Sequence, residues 1–443
     1  MPGKVTDAGR GWRSAPGREL WRWPRTEDAL LGNGNGNGNV YGLDRSSIGA
    51  GALVSMAGMD RPRSLDTLQY PVEQAVALST PRLLVYRRMV EENISLLRRY
   101  LEEVVPGSGF RHLNTHVKTH KSAWVTRLLC SSGIRKFKCT LQELDMLLEE
   151  RAGDILVAYP LLPHDAERVA ERIARFQDQR LTAQVASIEH AEYLAAAARR
   201  HRVEVDCLVD IDIGNHRTGL RPDRAADLAR TVSGSSALAP LRIRGLHAYD
   251  GHNNSPDPAE RAAVAQRAMQ EVVDCARSLE RAGVRVERLV VGGTPAFIPD
   301  LRELVSRHRV DAQVDVSPGT WVYWDTHYER KMPGLFRFAA LLLAQVMDTP
   351  GDDLVTLNLG HKRWSLDHGP LDLFNIPGAE VVLTSEEHTV LRCPPGARPG
   401  LLEPVLMAPK HVCPTVNLWE SFTLIGPGGE VEAESVAVTA RNR

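Results

Sequence analysis

The chain has 443 residues and a net charge of −1, with 54 Lys+Arg against 55 Asp+Glu. That length exceeds what one hydrophobic core usually supports, so two domains are expected. The balanced charge excludes a broad basic field for nucleic acid or an anionic membrane, which leaves a small molecule as the expected partner. Apolar runs such as 338–346 fall well short of the roughly 20 residues of a membrane span. No apolar leader precedes a cleavage site, and the six cysteines lack the spacing of a disulfide framework or zinc finger. A cytoplasmic protein is expected, its cysteines mostly small buried residues.

Residues 1–79 carry a Gly-Asn repeat, scattered Trp and Arg and no sustained period. Such a stretch buries too little apolar area to offset an ordering entropy of about 1–2 kcal/mol per residue. A largely disordered extension is expected there, with a docking arm as the alternative. From Thr80 onward short apolar runs alternate with segments of helical period. After a helix at 90–101, strands are expected at 112–120, 136–140, 155–160, 182–188, 205–213, 243–251, 288–294 and 313–317. Helices fall between them at 142–151, 165–178, 190–201, 222–231 and 258–281. This is the pattern of an α/β protein with a (β/α)8 TIM barrel, spanning 80–320. Beyond Trp321 the helical period fades into short strands at 338–346, 354–359, 380–383, 402–407, 421–425 and 431–440. A second, mostly antiparallel β domain is expected over 321–443.

Unusual residues recur at the carboxyl ends of the barrel strands, where this fold places its chemistry: Lys118, Tyr159, Asp212, Tyr249, Gly292, Gly293 and Ser317. Lys118 lies among His116, His120 and Lys121, and an amine with a lowered pKa there could form a Schiff base. On spacing alone, surface charges would explain these lysines better. Gly292, Gly293 and Thr294 end a strand before a helix, a geometry that can cradle a phosphate; a plain tight turn is the alternative. Asp210, Asp212, Gly214, Arg217 and Gly219 form a strand-to-loop cluster whose arginine could approach a cofactor, or simply make a barrel ion pair. His411 and Cys413, two apart in a segment expected to be extended, would share a face and suit zinc. The alternative is a buried cysteine beside a hydrogen-bonded histidine.

In order, these motifs are Thr80-Pro81, the His-Val-Lys-Thr-His-Lys stretch at 116–121, the Asp-Ile-Gly-Asn-His-Arg-Thr-Gly stretch at 212–219, Tyr249-Asp250-Gly251-His252, Gly292-Gly293-Thr294-Pro295, Ser317-Pro318-Gly319-Thr320, Ser385-Glu386-Glu387-His388 and His411-Val412-Cys413-Pro414-Thr415. Together they resemble the family of D-threonine aldolases and D-serine dehydratases, pyridoxal-phosphate enzymes related in fold to the alanine racemases. The resemblance covers roughly 80–443. It implies an alanine racemase-like architecture (fold type III for these enzymes), a barrel followed by a β domain, as a homodimer. It also implies that Lys118 holds pyridoxal 5′-phosphate, with Arg217 and Tyr249 in contact with it and Gly292, Gly293 and Thr294 around its phosphate. His411 and Cys413 would hold a divalent metal, zinc first, with manganese or magnesium as alternatives. Family dehydratases tend to carry His-x-Cys at this point and threonine aldolases His-x-Asp, so Cys413 points to elimination. The long extension, Asn358 and His361 depart from the family pattern.

The activity so implied is a lyase acting on D-β-hydroxy-α-amino acids, by β-elimination to a 2-oxo acid and ammonia. Retro-aldol cleavage to glycine and an aldehyde is the alternative. An amino-acid racemase needs no metal pair, and a non-catalytic cofactor-binding protein leaves both that pair and the β domain unexplained.

Overall fold

The structure, a computed structural model, describes residues 64–72 and 74–441. Strand β1 (Arg82–Tyr86) and helix α1 (Arg87–Val104) come first. There follow β2 (Thr115–His116), α2 (Ala123–Ser131), β3 (Lys136–Cys139), α3 (Leu141–Glu149), β4 (Asp154–Pro160), α4 (Pro163–Arg175), β5 (Arg180–Val185), α5 (Ile188–His201), β6 (Val205–Ile211), α6 (Pro222–Gly234), β7 (Leu241–Ala248), α7 (Pro258–Arg281), β8 (Arg288–Val291), α8 (Phe297–Leu301) and β9 (Gln313–Val316). After α9 (Thr326–Lys331) the chain continues through β10 (Ala340–Asp348), β11 (Leu354–Leu357), β12 (Glu380–Thr384), β13 (Thr389–Arg392), β14 (Pro404–Met407), α10 (Val412–Asn417), β15 (Ser421–Ile425) and β16 (Val431–Ala437).

Strands β2 to β9 form one eight-stranded parallel sheet in sequence order. The sheet closes on itself where Leu113 bridges Val316 and the Asn114 N–H donates to the Val316 carbonyl at 2.9 Å. The eight expected barrel strands are all present. Strands buried on both faces need mostly apolar residues, and β4 and β8 read that way after their first residues, Asp154 and Arg288.

The barrel interior is layered, because alternate residues of a strand share a face. At the amino-terminal end Arg288 binds Asp154 at 2.9 Å and Asp315 at 2.7 Å, and Lys136 also pairs with Asp315. Two residues further along these strands and β6, Leu156, Leu208 and Val290 pack together as a separate apolar cluster. Next to the mouth come Lys138, Asp210 and His247, all buried.

The second sheet runs β12-β13-β11-β10-β1-β15-β16, with β14 on β10. It is antiparallel except between β1 and β15. The sheet therefore includes a strand from before the barrel: Leu84 lies opposite Leu341 on one side and Thr423 on the other. Residues 64–79, read from the sequence as part of the extension, pack here too. Leu65, Tyr70, Val72 and Ala75 are buried, and the Tyr70 ring meets Tyr86 edge-on at 5.3 Å. The Gly-Asn repeat at 32–39 and the rest of 1–63 lie outside the described residues. No helix among the described residues is long and apolar enough to cross a membrane.

Candidate active site at the barrel mouth

The segment read as a strand at 112–120 is extended for only two residues. His116 Nδ1 accepts the Lys118 N–H at 3.2 Å and turns the chain into a short 3-10 helix over Val117–Thr119. That turn sets Lys118, half-buried, at the carboxyl end of β2. Among the described residues its amine has no carboxylate partner. Lys121 differs, because its amine binds Glu143 Oε1 at 2.8 Å while Glu143 Oε2 caps α3 through the Thr140 N–H at 2.6 Å. One lysine of the motif is thus tied down and the other is left available.

Barrel closure brings the ends of β8 and β9 beside this turn. The His116 N–H donates to the Pro318 carbonyl at 3.1 Å, and Thr294 Oγ1 accepts from Gly319 at 3.1 Å and Thr320 at 3.2 Å. The Ser317 hydroxyl, buried at the same place, has no hydrogen-bond partner among the described residues. Gly292 has φ +73°, which favours glycine, and a Cβ on Gly293 would stand only 3.0 Å from the Tyr249 ring, a tight approach. Across that ring, at the end of β7, the Arg217 guanidinium carbon lies 4.6 Å from the centroid. Asp212 shapes the arginine's loop by accepting N–H groups of Gly214 at 3.1 Å and His216 at 2.9 Å. Arg217 makes no ion pair among the described residues, so the barrel ion pair considered from the sequence is not formed there.

The His411 and Cys413 pair is close in space for a different reason from the one the sequence suggested. His411 is the extended residue just before α10 and Cys413 lies in the helix's first turn, so a helix start, rather than the two-residue period of a strand, aims them together. His411 Nδ1 meets Asp367 Oδ2 at 2.5 Å, and the same imidazole hydrogen-bonds the Cys413 thiol. Burial opposes charge on both groups, but each favours it in the other. The thiol of Cys413 is held below its ordinary value by His411, with help from Lys118 and Thr119, and His411 is raised to about 9 by Cys413 and Asp367. The pair therefore leans toward thiolate and imidazolium, and the thiolate is the metal-binding and nucleophilic form. The Thr119 hydroxyl lies 3.1 Å from Cys413 Sγ, which joins the pair to the residue next to Lys118. Asp325, whose carboxyl burial pushes up to about 6, accepts the N–H groups of Val412 and Tyr328, both at 3.0 Å, and so locks α10 to α9.

Three features of the site were not read from the sequence. Asp367 and His368 come from the loop after β11, 44 residues before His411 in the case of Asp367, and ligand atoms of Asp367, His368 and His411 all lie within 4.8 Å of one another. The His368 ring sits between His411, at 4.6 Å, and His327, at 4.0 Å. Lys138 and His247 form the third feature, on the barrel's inner face. The spacing of Lys136 and Lys138 in β3 was the available signal, since alternate residues of a barrel strand face inward. Of the other motifs, Ser385 and His388 form the hairpin turn between β12 and β13. Asn358 joins Gln345 at 2.9 Å to Thr80 at 2.8 Å, a role within the sheet that an amide, with both donor and acceptor, can fill.

Comparison with known proteins adds to this geometry. The family model described as "Alanine racemase, N-terminal domain" matches residues 87–325, and that described as "Putative serine dehydratase domain" matches 339–425. A D-threonine aldolase of Arthrobacter sp is 25% identical over 373 residues, covering 81% of this chain and 92% of that protein. A D-threo-3-hydroxyaspartate dehydratase of Delftia sp. (strain HT23) is 24% identical over 384 residues, covering 81% of this chain and 97% of the other. The crystal structure of a D-threonine aldolase from Filomicrobium marinum superposes with a TM-score of 0.74 at 26% identity, over 83% of this chain and 96% of that one.

Proposed function

The chain belongs to the alanine racemase N-terminal-domain family, and from that premise we propose that it is a pyridoxal-phosphate- and divalent-metal-dependent lyase of D-β-hydroxy-α-amino acids. The observation that carries this reading is one contact: the hydroxyl of Thr119, the residue after Lys118, lies 3.1 Å from the thiol of a His–Cys pair.

The residues present fit both groups. An amine without an anion, an unpartnered buried hydroxyl at Ser317, a turn closely approached at Gly293 and a guanidinium on an aromatic ring match an aldehyde, a phosphate and a phenolic oxygen on a flat ring. Lys118 would hold the aldehyde carbon, the turn of Gly292, Gly293 and Thr294 the phosphate, and Arg217 and Tyr249 the ring. His411 and Cys413 would hold the metal, with Asp367 fixing the imidazole from its other nitrogen, as a carboxylate does for a metal-bound histidine. A thiolate and an imidazole suit zinc better than the oxygen-seeking magnesium or manganese. All six cysteines are free, which suits a reducing cytoplasm. A homodimer, as in the family resemblance, completes the reading.

Bound, pyridoxal phosphate delocalises the electron pair left on Cα, and the metal polarises the β-hydroxyl. The protein's part is proton handling and alignment. In elimination Lys118 Nζ takes the Cα proton. Arg217 and Tyr249 orient the ring plane, and the His411 side places the hydroxyl. Elimination to a 2-oxo acid and ammonia follows when the hydroxyl leaves with its oxygen, and Cys413 favours that outcome. Cleavage to glycine and an aldehyde follows when the Cα proton stays in place, the hydroxyl instead loses its proton, the Cα–Cβ bond breaks and Cα takes up a proton; the similarity to D-threonine aldolases favours this second reading. Product analysis on D-serine, D-threonine and D-threo-3-hydroxyaspartate decides between them. Pyruvate or another 2-oxo acid with ammonia supports elimination, and glycine with an aldehyde supports cleavage. L-enantiomers, or no product from any of the three, would overturn the lyase assignment.

A further inference from the structure

One layer below the mouth the barrel holds a lysine that this mechanism does not use. Lys138 is 4% exposed, and its Nζ lies 2.6 Å from His247 Nε2, while His247 Nδ1 lies 2.7 Å from Asp210 Oδ1. The three residues come from β3, β7 and β6 and are buried together. Branched apolar side chains normally fill such a layer. A buried ammonium is costly unless it is paired, and here the direct partner is an imidazole rather than a carboxylate. The Lys138 amine is also 5.7 Å from the Tyr249 ring centroid, on the ring that Arg217 covers.

The groups that face it are known on each side. His116 and Lys118 approach from β2 and its turn, Asp210 and Arg217 from β6 and its loop, and His247, Tyr249 and Asp250 from β7 and its loop. Two further cations, Lys118 and Arg217, thus face Lys138, whose link to the Asp210 carboxylate runs through His247. Three cations, Lys118, Lys138 and Arg217, stand here against the carboxylates of Asp210 and Asp250. That excess of positive charge is the polarity of a site arranged around an anion.

We propose that Lys138, backed by His247 and Asp210, is a second cation of the cofactor pocket, drawing a phosphorylated, phenolic pyridine ligand toward the barrel mouth from below. The inference rests on the reading that this mouth takes pyridoxal phosphate. Lys138 is a binding residue here, one that holds charge without touching the reacting bonds. Its role depends on pH. Burial first, then Lys118 and Arg217, lower its pKa to about 7 against the pull of Asp210 and Asp250. The attraction is therefore present on the acid side of neutrality and fades on the alkaline side. His247, pushed down to about 4 by burial and by Lys138, stays neutral throughout and accepts from the ammonium through Nε2.

The test uses the full chain stripped of cofactor and pyridoxine 5′-phosphate as the probe. That probe carries the phosphate and the phenol but lacks the aldehyde, so it cannot condense with Lys118. Its dissociation constant is measured for wild type, Lys138→Met and Lys138→Arg from about pH 5.5 to about pH 9, a range spanning the loss of the Lys138 charge. The methionine variant should bind roughly tenfold more weakly than wild type at the acid end, a difference of about 1.4 kcal/mol, and equally at the alkaline end. Comparing each variant with wild type at the same pH cancels the ionisation of the probe itself. Lys138→Arg keeps its charge, so it should match wild type at the acid end and bind more tightly at the alkaline end; this arm stands even if the methionine variant does not fold. Ratios that stay near one at every pH, with clear binding by wild type, would overturn the inference alone. No binding by wild type at any pH would overturn the cofactor reading, and the inference with it.

Discussion

The two ends of the barrel carry similar charges and treat them in opposite ways. At the amino-terminal end Arg288 and Lys136 are matched by Asp154 and Asp315, so each cation has a carboxylate in contact. At the mouth Lys118 and Arg217 have none among the described residues, and Lys138 leans on an imidazole. Charges that neutralise one another can hold strands in register; charges left without counter-ions raise the energy of the empty site and lower that of the occupied one. The same eight strands thus carry paired charges at one end and, among the described residues, cations without carboxylate contacts at the other.

Substitutions at the two ends should separate stability from function. The largest effect is expected for Lys118→Ala, which should lose the visible absorption of the bound cofactor and at least about 10³-fold in turnover while melting near the wild-type temperature. Cys413→Ala comes next, with metal content falling and turnover dropping roughly 10²-fold or more, but with cofactor absorption kept. Chelation followed by zinc should reproduce and reverse that loss in the wild type. Activity indifferent to chelator would remove His411 and Cys413 from the site.

At the closed end the expectation reverses. Arg288→Ala takes the cation from Asp154 and leaves buried Asp315 with Lys136 alone, and should cost about 3–5 kcal/mol in denaturant unfolding. Cofactor absorption per folded molecule should not change. Loss of cofactor binding at full stability would erase the contrast between the two ends.

The smallest effect concerns the pH dependence of stability. In the unfolded chain Lys138 holds its proton up to its ordinary value of 10.5, and in the folded chain only to about 7. Between those values the unfolded state binds more protons, so this group makes stability rise with pH across that window. The cofactor-free Lys138→Met variant should show a shallower rise than wild type, by no more than one proton's worth of slope. Identical slopes would mean that Lys138 is protonated in the folded protein.

How far the sequence disclosed this arrangement follows from how local each signal is. The eight barrel strands were legible because each is a short apolar run set off by helices. Lys118, Tyr249 and Gly292 were legible because strand ends are where the fold exposes chemistry. Strand β1 was not, since its partners lie in β10 and β15, more than 250 residues away, and five residues carry no period of their own. The strand expected at 112–120 was too long because a side-chain bond from His116 ends it, and such bonds leave no trace in hydrophobic patterning. His411 and Cys413 were found for their chemistry and given the wrong backbone, because six residues of helix are shorter than the window that reveals helical period. Asp367 and His368 lie in a loop where only the folded chain shows what they face.

The central claim is that Lys118, rather than the paired Lys121 or the buried Lys138, is the amine that holds the cofactor. Reducing the holoprotein with borohydride and mapping the phosphopyridoxyl-bearing peptide by mass spectrometry tests it directly. The account predicts a single label on Lys118; a label on Lys121 or Lys138, or a reduced protein with none, would contradict it.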